Sequence, residues 1–417
     1  MKKLSKYSFG IGDRFQKQGV AQLRAILKAK ESGIDITPVW NKSNREHQIT
    51  GTSPLSVRKE AVEAVNTLSW DEDYFVDADH INLETVDGFM DNSDFFTIDV
   101  ASYIGKECDE PELEYCMEYC SLYMGELNIP GIKESFKIDK KALKDITDKF
   151  LFAAKMAGEI YRKIESKKGK GNFITEISMD EVGMAQTPVE LFFILLMLSI
   201  QNVPVQTIAP KFSGRFNKGV DYEGDIKMFE REFEQDLLVI DFAIKEFGLP
   251  EELKLSIHSG SDKFSIYPVM GKLIRKYDKG IHIKTAGTTW LEEVIGLSKA
   301  GGEALQFVKD IYFESLDRID ELTKPYADVI DISTDFLPDK KEVESWDSKK
   351  MFHTLQHIPE HPDYNKNMRQ LMHVAYRIAA ERIEEFRVLQ EKYADIIGQC
   401  VTENIFERHI RNIFDIS

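Results

Sequence analysis

The chain has 417 residues, 42% hydrophobic and 30% charged, enough apolar material for a large buried core and too much for a disordered chain. Its formal net charge of −17 excludes nucleic acid and acidic membrane surfaces as general partners, since both demand a basic face. A small anionic ligand stays compatible with that charge wherever a few Lys and Arg converge.

From the N-terminus, Met1-Lys2-Lys3-Leu4 is basic but lacks the apolar run of a secretory signal, so we expect a cytoplasmic protein. Short runs rich in Val, Ile, Phe and Thr then recur at residues 7–11, 36–40, 74–77, 95–100, 173–179, 203–209, 254–259 and 281–285. Between them, segments such as 16–32, 56–68, 188–200, 225–247 and 289–299 carry apolar residues at three- and four-residue intervals. Strand and helix in alternation imply parallel strands with right-handed crossovers. Eight such units predict an α/β fold, a closed (β/α)₈ TIM-type barrel. The competitor is an open doubly wound sheet of the dinucleotide type, but Gly10-Ile11-Gly12 is followed by Phe15 where that motif needs its third glycine.

Two regions depart from the repeat: a charged helical insertion at about 104–170 and a helical C-terminal extension at about 303–417. The extension holds one strand-like run, 327–333, which leaves open whether it or 7–11 closes the barrel. Residues 1–417 otherwise read as one elaborated domain, with no repeat or Gly/Ser linker. The most apolar segment, 189–200, is too short for a bilayer and reads as a buried helix. Cys108, Cys116, Cys120 and Cys400 lack the Cys-x-x-Cys spacing of a structural zinc site and are expected as reduced thiols.

Strand alternation selects the side chains that face the barrel interior. Ser256 with His258, His282 with Lys284, and Glu176 with Ser178 and Asp180 each lie opposite apolar partners that suit the helix-covered outer face. Buried polar groups are costly unless paired or ligated. A divalent metal on His80, His258 and His282, with Glu176 or Asp180 as an added ligand or acid/base group, is therefore weighed against a metal-free hydrogen-bond network. Imidazole and carboxylate suit Zn, Mn, Fe, Co or Ni alike. A second cluster, His353, His357 and His361, puts two imidazoles four residues apart but lacks a protease motif and is broken by Pro359, which favours a surface or lid role. Arg14, Lys42, Arg45, Lys211, Arg215, Lys218, Lys263 and Lys284 fall near strand ends. Arg14, Lys42, Lys211 and Lys284 are our candidates for holding an anionic substrate.

Long blocks carry a resemblance: Phe9 to Phe15, Ile36 to His47, Phe75 to Leu83 (Phe-Val-Asp-Ala-Asp-His-Ile-Asn-Leu), Phe95 to Ala101, Thr187 to Glu190, Ala209 to Phe212, Ile257 to Asp262 and Ile283 to Thr288. Together they span nearly the whole chain, which resembles the tagaturonate epimerase family. The resemblance implies a metal-dependent cytoplasmic isomerase that interconverts D-tagaturonate and D-fructuronate in hexuronate (galacturonate, pectin) breakdown. It also implies Asp79 as proton acceptor and His80 as metal ligand, on the matching block. Taking C3 as the carbon beside the ketone, we expect abstraction of the C3 proton through an enediolate, with Asp180, Glu181 or Glu176 returning a proton from the other face. Competing readings are an aldose–ketose isomerase or aldolase acting on a sugar acid, and a non-catalytic sugar-acid binding protein. The partner is then a small anionic sugar acid, with neither nucleic acid nor membrane, and an assembly of identical chains is compatible with all of this.

Overall fold

The computed structural model describes residues 2–180, 182–258, 262–285 and 288–416. Its strands are β1 (Tyr7–Ile11), β2 (Thr37–Ser43), β3 (Phe75–Ile81), β4 (Phe95–Asp99), β5 (Gly125–Leu127), β6 (Phe136–Ile138), β7 (Ile174–Ser178), β8 (Thr207–Ala209), β9 (Lys254–His258) and β10 (Ile281–Lys284). Eight of them close into a parallel barrel in the order β1-β2-β3-β4-β7-β8-β9-β10, with β10 returning to β1. The eight apolar runs of the sequence are these eight strands, and β1 makes the closure. Residues 327–333 stand outside the barrel, where a 3₁₀ turn spanning Lys324–Val329 replaces the strand-like reading. Pro325, at the first turn and without an N–H for a ladder, favours that turn.

Helices α1 (Gly19–Glu31), α2 (Asn44–Thr50), α3 (Pro54–Leu68), α4 (Glu110–Cys120), α5 (Lys140–Lys168), α6 (Pro188–Ile200), α7 (Ile226–Phe247), α8 (Tyr267–Lys276) and α9 (Thr288–Ala300) follow along the chain. Thr187 and Glu190 form a capping box that starts α6, whose residues Leu191 to Leu198 are all buried between α5 and α7. Among the described residues, no helix is long and apolar enough to cross a membrane. Between β4 and α5 lie α4 and the antiparallel β5–β6 ribbon, while α5 itself packs on α6 and against β4, in the place of a crossover helix. After α9 the chain continues as helices, of which Ser348–Leu355 and Ala394–Glu403 pack on α9.

The barrel interior changes character from floor to mouth. At the floor, Leu4 from the N-terminal segment joins Val39, Phe75, Phe95 and Ile174 in a small apolar cluster. Above it Asn41, Asp77, Thr97, Glu176, Thr207, Ser256, His282 and Lys284 are buried, as strand alternation predicts for an inward polar set. Such a layer persists only where its members bond to one another or to a ligand.

Lys254, buried at the start of β9, donates to the carbonyls of Ser5 and Lys6 and so ties down the N-terminal segment. Burial pushes its ammonium down to about 7, against the pull of Glu252, from an ordinary 10.5. Between those two values the unfolded chain binds the proton and the folded chain does not, so stability rises with pH through that window. We expect the melting temperature of Lys254→Met relative to the native chain to be highest near pH 6.5 and to fall by pH 9.5. A pH-independent difference would refute the assignment.

Candidate active site

Strand β3 runs into an irregular register between Ala78 and Ile81, and His80 takes a φ of 52°, unusual for a residue with a Cβ. A backbone of that kind costs about 1–3 kcal/mol and is kept where it aims a side chain. Here it turns the His80 imidazole toward the mouth, edge-on to His258 at the end of β9, with ring centroids 5.0 Å apart. Asp180, just beyond β7, completes the group: its Oδ1 lies 3.1 Å from His258 Nδ1 and 3.7 Å from His80 Nε2. One ligand atom from each of these three residues lies within 4.8 Å of the other two.

The surroundings fit a divalent cation. Among the described residues, the buried His80 Nε2 has no hydrogen bond and lies 3.7 Å from Asp180 Oδ1, while its Nδ1 sits 2.8 Å from Asp79 Oδ1. His258 mirrors it, with Nε2 2.9 Å from Glu176 Oε1 and Nδ1 toward Asp180. Asp79 and Glu176 can thus each accept an N–H from one imidazole, as the carboxylate partners of metal-binding histidines do, and the other two ring nitrogens both face Asp180 Oδ1. Lys284 Nζ sits among Asp77, Asp79 and Glu176 at 2.8, 2.9 and 2.9 Å, so one ammonium faces three carboxylates beside the two imidazoles. Thr97 and Thr207 donate to Glu176 at 3.0 and 2.7 Å, and Ser178 donates to Asp180 at 2.6 Å.

Ionisation follows from that packing. Burial works against charge on Asp79, but the Lys284 ammonium and then His80 outweigh it and hold this carboxyl below its ordinary range. Glu176 and Asp180 are likewise held well below theirs against burial, Glu176 by Lys284 and His258, Asp180 by His258 and His80. Asp77 goes the other way. Burial, aided by Asp79 and Glu176 and opposed by Lys284, pushes it up to about 7.

The group stands at the base of a cavity of about 910 Å³. A shallower groove of about 450 Å³ lies outside the barrel between α1 and Ala394–Glu403, away from the strand ends. Around the large cavity are Asp79, His80, Asp180, His258 and Lys284 at the base, with Arg45, Lys211, Arg215, Lys218 and Tyr326 on the walls. Among the described residues, no carboxylate lies within ion-pair distance of Arg45, Lys211 or Lys218, whereas Arg215 pairs with Asp331 at 3.0 Å. Arg45, Lys211 and Lys218 thus put positive charge on the wall of a cavity that Glu46, Asp99 and Asp328 also line.

A sequence model of the tagaturonate epimerase (UxaE) family matches residues 1–413. The chain belongs to the tagaturonate epimerase family. This family member is 28% identical over 419 residues to the tagaturonate/fructuronate epimerase of Thermotoga maritima, covering 97% of this chain and 80% of that one. The glycerol-complexed crystal structure of fructuronate-tagaturonate epimerase UxaE from Cohnella laeviribosi superimposes with a TM-score of 0.80 at 25% identity, over 99% of this chain and 82% of that one. The native crystal form of the same Cohnella protein gives a TM-score of 0.77 at 23% identity, over 99% of this chain and 82% of that one. Membership makes the protein an isomerase-class enzyme on the barrel just described.

Within this epimerase the residues singled out from sequence have distinct places. His80, His258 and Asp180 come together, and Asp79 lines the cavity beside them. Glu176 lies behind His258, fully buried and off the cavity wall. Glu181 falls outside the described residues. His282 does not reach the group. By register His258 pairs with Lys284 and His282 with Ser256, which sets His282 roughly 7 Å nearer the floor. There its Nδ1 meets Ser8 Oγ at 2.8 Å, its ring packs on Phe95, and burial pushes it down to about 3.

Of the four candidate anion-binding cations, Lys211 alone lines the wall without an ion pair among the described residues. Lys42 lies off the cavity and donates to Arg14 O, Thr50 and Thr52 at 2.5, 2.8 and 2.9 Å. Arg14 reaches the wall but is engaged by Glu46 at 2.9 Å, by His373 O at 3.0 Å and His373 Nε2 at 3.1 Å. Lys284 is consumed by its three carboxylates at the base. In the other histidine cluster, His353 and His361 stack at 4.0 Å, and His357 is buried with Nδ1 3.1 Å from Asp262. Sequence reasoning missed Tyr326, whose ring has Arg45 at 5.8 Å and Lys218 at 5.9 Å, and whose hydroxyl meets Tyr376 at 2.9 Å. Nothing in the local pattern of residues 324–331 marks that role.

Proposed function

We propose that this enzyme interconverts D-tagaturonate and D-fructuronate by opening and reclosing the C3–C4 bond of the substrate. What supports the reading is the convergence of His80, Asp180 and His258 beside an ionised Asp79 at the base of a cavity with unpaired cations. Counted from the carboxylate, these keto acids carry the ketone at C5 and differ at C3. The C3 hydrogen is therefore adjacent to neither carbonyl, and the expected abstraction of that proton is corrected by the connectivity of the substrate. What the C5 ketone activates is the C3–C4 bond, because the C3 hydroxyl is β to it.

The steps balance with one base. Asp79 takes the proton of the C3 hydroxyl, C3 becomes an aldehyde, and the C3–C4 electron pair passes to C4–C5 as an enediolate. The aldehyde carbon turns about the C2–C3 bond, C4 adds to its opposite face, and Asp79 returns the proton to the C3 oxygen. His80, Asp180 and His258 would hold a divalent ion, which when bound supplies Lewis acidity for the charge that builds on the ketone oxygen. Arg45, Lys211 and Lys218 grip the substrate carboxylate, so the aldehyde fragment stays in place while C3 turns.

Proton NMR of the purified enzyme with D-tagaturonate in heavy water tests this directly. We expect D-fructuronate to accumulate with hydrogen retained at C3. Deuterium at C3 would exclude the bond-opening route, an aldose product would indicate an isomerase, and the absence of any conversion would overturn the function itself.

A further inference from the structure

Between β8 and α7 the segment Asn217 to Val220 crosses the rim of the cavity, and Lys218 is the cation it presents to the wall. Gly219 and Val220 are buried and off the cavity wall, Asn217 is buried but also lines the cavity, and Lys218 is half-exposed. Two buried basic side chains hold the carbonyls of this segment. Lys263 Nζ donates to Asn217 O at 2.8 Å and to Val220 O at 2.6 Å, and Arg369 Nε donates to Gly219 O at 2.6 Å. Arg369 also binds Asp262 at 2.5 Å and the carbonyl of Leu355, so it is locked in turn. Gly219 has a φ of 77°, and a Cβ there would meet His373 and Leu291 at 3.5 Å. On the cavity side, Lys218 N donates to Val329 O at 2.8 Å. Burying two basic side chains is expensive, and both donate to backbone carbonyls of one short loop.

We propose that Lys263 and Arg369 are positioning residues that aim Lys218 at the substrate carboxylate. They act through the loop backbone and do not touch the substrate. Lys263 comes from the stretch after β9 and Arg369 from the C-terminal helix Lys366–Val374, so two distant parts of the chain converge on one specificity element. The inference rests on the reading of Lys218 as a carboxylate-binding cation.

A double-mutant cycle separates the two. We expect Lys218→Met to raise KM for D-tagaturonate about tenfold, the scale of a hydrogen bond to a charged group. Lys263→Met should raise KM several-fold with kcat changed less than twofold, and should have no further effect in the Lys218→Met background. An unchanged KM in Lys218→Met would remove the carboxylate reading on which this rests. A raised KM in Lys218→Met with an independent, multiplying effect of Lys263→Met would overturn the positioning role alone. Should Lys263→Met fail to fold, Arg369→Lys carries the same cycle, with the same two outcomes.

Discussion

Replacing Asp79 with Asn is expected to lower kcat about 10³-fold while leaving the fold and the metal content of the enzyme intact. The change is nearly isosteric, and an amide oxygen can still accept from His80 and Lys284, which both approach Oδ1. What the amide cannot do is take a proton. The present carboxyl is held ionised because Lys284 and His80 outweigh its burial. Turnover within about threefold of the native enzyme would exclude Asp79 as the base. Loss of activity together with loss of metal would make Asp79 a support for His80 instead.

Metal removal is the second large effect. Dialysis against a strong chelator should reduce activity by at least about 10²-fold, and one or more of Zn, Mn, Fe, Co and Ni should restore it. His258→Ala and Asp180→Asn should each yield folded protein with little bound metal by elemental analysis. The Asp180 variant is the informative one, since sequence reasoning left it as either ligand or proton donor. Its Oδ1, 3.1 Å from His258 Nδ1 and 3.7 Å from His80 Nε2, is placed where a ligand to a shared ion would be. Full metal content in inactive Asp180→Asn would return it to the role of acid. Full activity after exhaustive chelation would dismiss the metal.

The burial that makes the site work also makes these variants informative. Lys284 offsets three carboxylates in a layer closed to water, so removing one partner leaves the others buried with altered charge. Glu176 shows how far this reaches: it contacts Lys284, His258, Thr97 and Thr207 without lining the cavity. Its substitution should disturb both the orientation of His258 and the stability of the barrel interior.

Much of this was legible in the sequence. Eight apolar runs separated by helical periodicity are local features, and each became a barrel strand. The two-residue alternation of a strand is equally local, and it turned His258, Lys284 and Glu176 inward. A parallel barrel brings all strand ends to one mouth, so His80 and His258 could be grouped without knowing any distance, with Asp180 as one of two added candidates, although His282 was grouped with them too.

What the sequence by itself determined is therefore the barrel, the inward faces and the kind of chemistry its strand ends carry, because these depend on periodicities within a few residues. Tertiary structure alone decided depth, pairing and reach. His282 and His258 look equivalent along their strands, but the register between β9 and β10 sets one of them a layer below the other. Arg14 and Lys211 look equally available, but Arg14 is taken by His373, 359 residues away, and Lys211 is not. Tyr326 and Arg369 belong to a C-terminal extension outside the strand–helix repeat, and they enter the account only because the chain folds back over the mouth. Contacts of that kind are set by packing between distant segments, which no local pattern encodes.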